Sequence, residues 1–107
     1  MIIYNVTVKV DREIDEDWRE WMKSKHIPDV MDTGKFSDFR LCRLLGQEEE
    51  DGVTYAVQYY GRDMDAIREY QELHAPDLQA EHRNRYGDRY VAFRTLLQVL
   101  DRSDSAA

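Results

Sequence analysis

The order of the hydrophobic patterns along the chain constrains its fold more than any other feature of the sequence. Residues 2–10 alternate between apolar and polar side chains, which indicates a strand with one apolar face. Similar strand patterns follow at residues 36–45, 53–60 and 89–100. Helical periodicity separates the first strand from the second, and the third from the fourth. The chain is therefore predicted to run β-α-β-β-α-β.

Both helical segments carry recognisable start and stop signals. The first begins with a cluster of acids, which the helix macrodipole favours at an N-terminus. We expect this helix to end near His26, because Pro28 restricts the residue before it and has no N–H to donate; Pro28 then opens at most one more turn, up to Asp32. Asp63 is the predicted N-cap of the second segment, and Pro76 divides that segment in two.

This element order predicts an α+β, ferredoxin-like βαββαβ fold: a four-stranded antiparallel sheet with both helices on one face. A chain of 107 residues has the size of one domain. We assign residues 1–101 to a single ferredoxin-like domain and predict that residues 102–107 form a disordered C-terminal tail. The charged loop at residues 46–52 is predicted to join the second and third strands as a hairpin.

Alternation along the strands divides the sheet into two faces. The face towards the helices is predicted to hold Tyr4, Val6, Val8, Phe39, Leu41, Tyr55, Val57, Tyr59, Val91, Phe93 and Leu97. The opposite face is predicted to hold Ile3, Asn5, Thr7, Arg40, Cys42, Leu44, Thr54, Ala56, Gln58, Tyr60, Tyr90, Ala92, Arg94, Leu96, Gln98 and Leu100.

That opposite face is too apolar for a plainly solvated surface. Packing two such sheets against each other across a two-fold axis would cover it, so we predict a homodimer in the form of a dimeric α/β barrel. The alternative is an open monomeric sheet with scattered apolar residues.

A polar set on the same face is the predicted ligand-binding site. It consists of Asn5, Thr7, Arg40, Gln58, Tyr60 and Arg94. In a closed two-sheet barrel these side chains would line a cavity, where buried arginines need partners. One interpretation is a small anionic or oxygenated ligand held bidentately. The other is an interface ion-pair network with acids such as Asp38 or Glu48, or with acids of the partner.

The histidines are the only candidates for catalysis. His26, His74 and His82 titrate near neutrality when unperturbed, but histidines at helix ends commonly cap carbonyl groups instead. His26 is the weak catalytic candidate, because it opens the loop nearest a sheet–helix cleft. No two histidines have the i, i+4 spacing of a helical metal site, so we predict no metal and no cofactor. Cys42 is interpreted as a small strand hydrophobe.

The charge and the cysteine count limit the partners and the compartment. A net charge of −7 argues against a nucleic-acid partner, which needs clustered Lys and Arg. A single cysteine allows no intrachain disulfide, and this favours a reducing cytoplasm. No apolar run approaches the length of a membrane span, so no membrane partner is predicted.

Four segments carry a family resemblance: residues 1–7, 18–22, 26–36 and 92–95. Through them the sequence resembles the dimeric α/β-barrel superfamily, which includes antibiotic-biosynthesis monooxygenase-like and haem-degrading monooxygenase-like proteins. More closely, it is similar to an uncharacterised domain-of-unknown-function family of that type. The likeness spans nearly the whole chain and implies the fold more specifically than any activity.

The haem-degrading members of this superfamily imply a particular site. Their site is defined by an Asn on the first strand, a Trp on the helix after the third strand and a His near the end of that helix. Asn5 matches the first of these, and Tyr70 stands where the Trp would be. His82 lies near the third position, at a longer spacing and with Pro76 between.

Two hypotheses for the function follow. The resemblance and the polar sheet face favour a small dimeric protein that binds a small organic or anionic ligand, as a cofactor-free enzyme or without catalysis. The absence of a compact acid–base–nucleophile constellation favours the alternative, a non-catalytic dimerisation or regulatory module that binds another protein.

Overall fold

Four strands form the single sheet of this protein, for which a computed structural model describes residues 1–46 and 52–103. The strands are β1 (Ile2–Asp11), β2 (Phe36–Arg43), β3 (Gly52–Gly61) and β4 (Tyr90–Gln98). All neighbours are antiparallel and the order across the sheet is β2-β3-β1-β4. The ferredoxin-like α+β prediction is therefore confirmed. Most of the predicted 46–52 loop, and residues 104–107 of the predicted tail, lie outside the described residues.

The helices fill the two crossovers between strands. The first crossover contains a 3₁₀ turn (Arg12–Ile14), α1 (Asp15–Trp21), a π-helical segment (Met22–His26) and α2 (Ile27–Asp32), and the second contains α3 (Met64–Leu73) and α4 (Ala75–Tyr86). As predicted, Asp63 caps α3 and accepts a hydrogen bond from the Ala66 amide across 2.9 Å. Within the described ranges, no helix combines the length and the apolar composition needed to cross a bilayer.

The predicted stop near His26 is wrong, whereas the further helical turn predicted up to Asp32 is observed as part of α2. The helix passes from the π-helical segment directly into α2, and Pro28 occupies the first turn of α2. The amide of Ile27 bonds to the Met22 carbonyl in the wider i→i−5 pattern of the π-helical segment, and this register carries the helix past Pro28, which has no N–H to donate. The consequence is a continuous helical backbone that carries His26 over the sheet.

The core lies between the sheet and the helices. The sheet contributes alternate residues of the two central strands, which are 0–5% exposed: Tyr4, Val8, Val10, Val53, Tyr55, Val57 and Tyr59. The helices contribute Trp18, Ile27, Val30 and Ile67, each at most 2% exposed. Burial of large apolar side chains at this level is the main stabilising contribution to a domain of this size.

The face assignment of β4 is wrong by one residue. In the register with β1, Val8 pairs with Ala92 and Val6 with Arg94, so Arg94 lies on the helix side of the sheet. Tyr90, Ala92, Leu96 and Gln98 share that side, whereas Val91, Phe93 and Leu97 point to the open face. A slip of one residue moves every side chain of a strand to the other face, and β4 has apolar residues on both.

Candidate functional site

A small cavity opens between the sheet and α4, next to β4. Its apolar walls come from Val6, Val57 and Leu78, and its polar groups come from three tyrosines, two histidines, Gln79 and Arg94. The centre of a water molecule can occupy about 30 Å³ of this cavity. That is enough for one or two waters. With its opening to solvent, the indentation contains about 400 Å³ of empty volume.

His82 is buried in the cavity wall, at 5% exposure. Its Nε2 accepts a hydrogen bond from the indole N–H of Trp18 across 2.9 Å. Its ring stacks on Tyr90, with centroids 4.0 Å apart and planes 12° from parallel. Burial lowers the pKa of His82 to about 3, so the ring is neutral at physiological pH. A neutral imidazole that accepts at Nε2 carries its proton on Nδ1.

His26 projects into the same cavity from the π-helical segment. Its ring stacks on Trp21, with centroids 4.9 Å apart, and lies 5.4 Å from the ring of His82. Its Nδ1 is buried without a hydrogen-bond partner. Burial lowers the pKa of His26 to about 4, although Glu81 and Asp29 oppose the shift. π-helical turns often occur at functional sites, and here the turn carries the weak catalytic candidate of the sequence analysis.

Three tyrosines, Tyr4, Tyr59 and Tyr70, also line the cavity. The hydroxyl of Tyr59 is buried without a partner, and burial raises the pKa of this group far above its ordinary value. Burial also raises the pKa of Tyr4 and of Tyr70, against the opposing charge of Arg94. All three therefore stay protonated and present hydroxyl donors.

Arg94 is the cation of the cavity. The side chain lies at the solvent-exposed edge of the site on β4. In the described part of the chain no carboxylate lies within salt-bridge distance of it, whereas Arg89 pairs with Asp11 and Glu13. Its positive charge reaches Tyr4, His26 and His82, whose pKa values it lowers. An arginine with no acidic partner beside neutral donors suits an anion.

The structure brings together five of the six residues predicted as a ligand site. Asn5, Thr7, Arg40, Gln58 and Tyr60 share the open face of the sheet, and Arg94 lies on the other side.

On the open face, Arg40 pairs with Asp38 across 2.7 Å, which is one of the ion pairs considered in the sequence analysis. Its guanidinium also lies 5.6 Å from the ring centre of Tyr60. The amide of Asn5 donates to Thr7 across 3.1 Å. Arg40 thus has a partner of its own, and Arg94 has none among the described carboxylates.

The arrangement implied by the haem-degrading proteins is not assembled. Tyr70 and His82 line the cavity, but Asn5 lies on the opposite face of the sheet. The described residues also contain no group of three or more His, Cys, Asp or Glu side chains placed to hold a metal ion. His74 lies between α3 and α4 and does not line the cavity.

Comparison with known proteins identifies the family. The model of a domain of unknown function, DUF4286, matches residues 1–100, and the chain belongs to this family. None of the curated proteins matches the sequence. The resemblance drawn from the sequence to an uncharacterised domain-of-unknown-function family is confirmed.

Solved structures share the fold at low sequence identity. A point mutant of MhuD with two manganese protoporphyrin IX molecules bound per active site superposes with a TM-score of 0.72 and 15% identity, covering 98% of this chain and 100% of that one. A candidate antibiotic biosynthesis monooxygenase from Bacillus cereus superposes with a TM-score of 0.65 at 12% identity, and the match covers 97% of each chain. A dimeric ferredoxin-like protein from an uncultured marine organism superposes with a TM-score of 0.68 at 4% identity. The match covers 97% of this chain and 99% of that one.

The residues of this chain do not fit a porphyrin. The indentation, even with its opening, contains only about 400 Å³ of empty volume, and Val6, Val57 and Leu78 close its walls. Nε2 of His82 is occupied by the Trp18 indole and is not free to bind iron. The enclosed space is far smaller than a porphyrin, and neutral donors and Arg94 line it.

Proposed function

We propose that this protein is a homodimer that binds a small organic anion in the cavity between its sheet and α4. The observation that carries the proposal is the position of Arg94, which has no carboxylate partner among the described residues and faces a cavity of neutral donors. A carboxylate of the ligand would supply the missing partner and could accept two parallel hydrogen bonds from the guanidinium.

The remaining walls favour a flat, largely apolar ligand body. Tyr4, Tyr59 and Tyr70 present aromatic surface, and the side chains of Val6 and Leu78 add apolar contact. Aromatic walls of this kind pack well against another ring. The buried hydroxyl of Tyr59, which lacks a partner, would be satisfied by an oxygen atom of the ligand. A small aromatic carboxylate combines these properties.

The homodimer is part of the proposal and rests on the open face of the sheet. Ile3, Val91, Phe93 and Leu97 lie on this face, and Val91 and Phe93 are 65% and 63% exposed. A second copy of the same face would cover them across a two-fold axis. One structural relative is described as a dimeric ferredoxin-like protein. Cys42 is a free thiol on this face, in keeping with the reducing cytoplasm that we propose as its location.

The test is a titration with benzoate and with uncharged benzamide, followed by chemical shifts of the protein amides. We expect benzoate to bind and to shift residues around Arg94, and benzamide to bind at least about 10-fold more weakly, as for a lost charged hydrogen bond. Arg94→Gln should remove this preference. Arg40→Gln is the matched control, since it removes an arginine from the opposite face of the same sheet.

Each other outcome has a defined meaning. Equal binding of benzoate and benzamide would contradict an anion site. Loss of benzoate binding in Arg40→Gln alone would place the ligand on the open face, among the residues Asn5, Thr7, Gln58 and Tyr60 that the sequence analysis proposed.

A non-catalytic dimerisation or regulatory module that binds another protein is the second candidate function. The observation that favours it is the small size of the cavity, in which the centre of a water molecule can occupy only about 30 Å³. A dimer that binds neither benzoate nor benzamide would support this function over ligand binding.

A further inference from the structure

We infer that the cavity removes a proton from its bound anion, with the imidazole of His26 as the general base and Arg94 beside the oxygen on which negative charge develops. The inference rests on the proposed binding of an organic anion. It adds a chemical step that binding alone does not require.

The position of His26 is suited to this role. The ring lines the cavity with Arg94, and stacking on Trp21 fixes its plane. Nδ1 is buried and has no hydrogen-bond partner, so the ring is not committed to a structural hydrogen bond at that atom. A buried polar atom left unpaired is costly, and such sites occur where function requires them.

Burial disfavours the charged form of the His26 ring, and nearby acids partly offset this effect. Glu81 on α4 and Asp29 on α2 favour the charged imidazolium, whereas Arg94 and Lys25 disfavour it. The neighbouring ring of His82 is neutral and adds no charge. Lys25 forms ion pairs with both Asp29 and Glu81 at the surface. The side chains of Asp29 and Glu81 are 31% and 41% exposed, so they connect the surroundings of His26 with solvent.

His82 has a different role. Its Nε2 already accepts the Trp18 N–H, and its ring is stacked between neighbours. It is therefore a positioning residue, which holds a donor at Nδ1 and keeps a second positive charge away from Arg94. The two adjacent histidines thus differ in their partners. Nε2 of His82 accepts a hydrogen bond from Trp18, whereas Nδ1 of His26 has no hydrogen-bond partner.

The chemistry points to an enolisable 2-oxo acid as the ligand class. In such an acid the carbonyl oxygen is next to the carboxylate, so one guanidinium can contact both oxygens. The imidazole takes the proton from the carbon beside the carbonyl. The electron pair of that C–H bond forms the carbon–carbon double bond of an enolate, and the charge moves to the carbonyl oxygen. Return of a proton from the imidazolium to carbon completes the exchange, with no oxidant or reductant.

The experiment measures deuterium incorporation at C3 of phenylpyruvate in D₂O by proton NMR. We expect the wild-type protein to accelerate this exchange over buffer, and His26→Gln to lower the acceleration by about 100-fold, within the range of general base catalysis. His74→Gln is the matched control and should exchange as the wild type does, because His74 does not line the cavity.

A pH profile separates a base from a merely structural residue. Exchange should rise with pH as the imidazole of His26 loses its proton, because only the neutral ring is a base. Glu81→Gln and Asp29→Asn each remove a negative charge that favours the imidazolium, so each should move this rise to lower pH. These surface substitutions also provide the test if His26→Gln does not fold.

The results distinguish this inference from the proposed function. Binding of phenylpyruvate that depends on Arg94, with no acceleration of exchange or with equal acceleration in His26→Gln, would overturn the proton transfer and leave the anion site intact. Absence of phenylpyruvate and benzoate binding would overturn the anion site, and this inference with it. A pH profile unchanged by both acid substitutions would also contradict the assignment of His26.

Discussion

The indole N–H of Trp18 donates a hydrogen bond to Nε2 of His82 across 2.9 Å and so joins α1 to α4, 64 residues further along the chain. Both side chains are buried, at 0% and 5% exposure. A buried polar atom that loses its partner retains the cost of leaving water. This bond therefore couples the two helical crossovers of the fold.

A double-mutant cycle measures this coupling. Trp18→Phe leaves Nε2 of His82 unpaired, and we expect it to lower the free energy of unfolding by about 1–3 kcal/mol beyond the loss of ring area. His82→Phe should cost less in a Trp18→Phe background than in the wild type. Urea denaturation of the four proteins gives the interaction free energy. Additive single effects would contradict a direct contribution from the hydrogen bond.

Acid should destabilise the fold through the two buried histidines. Their pKa values in the folded state are about 4 for His26 and about 3 for His82, below the ordinary value of 6.5. The unfolded chain therefore binds more protons, and the free energy of unfolding falls as the pH falls from about 6.5 towards these values. The full contribution is of the order of 3 kcal/mol for each histidine.

Urea midpoints at pH 7 and pH 5 check this dependence. His82→Gln should show a smaller drop than the wild type, because one of the two groups is gone. A wild-type midpoint that does not change between these pH values would show that the folded state also protonates its histidines.

The proposed dimer depends on which residues of β4 face outwards. Phe93→Asp places a charge in the centre of the proposed contact, and we expect light scattering to show a monomer. Leu96→Asp is the matched control: Leu96 is 42% exposed on the same strand, but it lies on the helix side and should leave the dimer intact. A wild-type monomer at micromolar concentration would contradict the proposed dimer.

Gly61 ends β3 against the core. A methyl group at this position would lie 2.8 Å from Cδ1 of Ile67, a side chain with 0% exposure. Gly61→Ala should therefore lower the free energy of unfolding by about 1–3 kcal/mol through overpacking. Ile67→Val removes the clashing Cδ1 atom. The free energy of unfolding of the double variant should therefore fall by less than the sum of the two single decreases. Strict additivity in thermal unfolding would refute this explanation.

Much of the fold could be predicted from the sequence, because the strongest patterns agree with the final structure. The alternation in β1, the Asp63 cap and the order of the elements each predict what the structure shows. The break predicted at Pro28 was wrong because the i→i−5 hydrogen-bond register of the π-helical segment carries the helix past a residue without an amide donor.

The site was harder to predict, and β4 shows why. Val91 and Phe93 are more apolar than Tyr90, Ala92 and Arg94, so the sequence pattern assigns them to the buried face. The structure buries Ala92 and Tyr90 partly instead, because the ring of His82 packs on Tyr90. Which face of β4 is buried therefore depends on a contact with α4, and the local sequence pattern of β4 does not contain that contact. The location of Arg94 follows from the same choice.

Phe93 and Arg94 are neighbours in sequence that point to opposite sides of one edge strand. If the proposed dimer and the proposed ligand site both form, a single strand is shared between the subunit contact and the binding cavity. A shift of β4 that improves the subunit contact then changes the geometry of the binding cavity, and a shift that improves the cavity changes the subunit contact. Ligand affinity and subunit association would in that case be thermodynamically linked, so that dilution weakens binding and saturating ligand changes the dimer dissociation constant by the same factor.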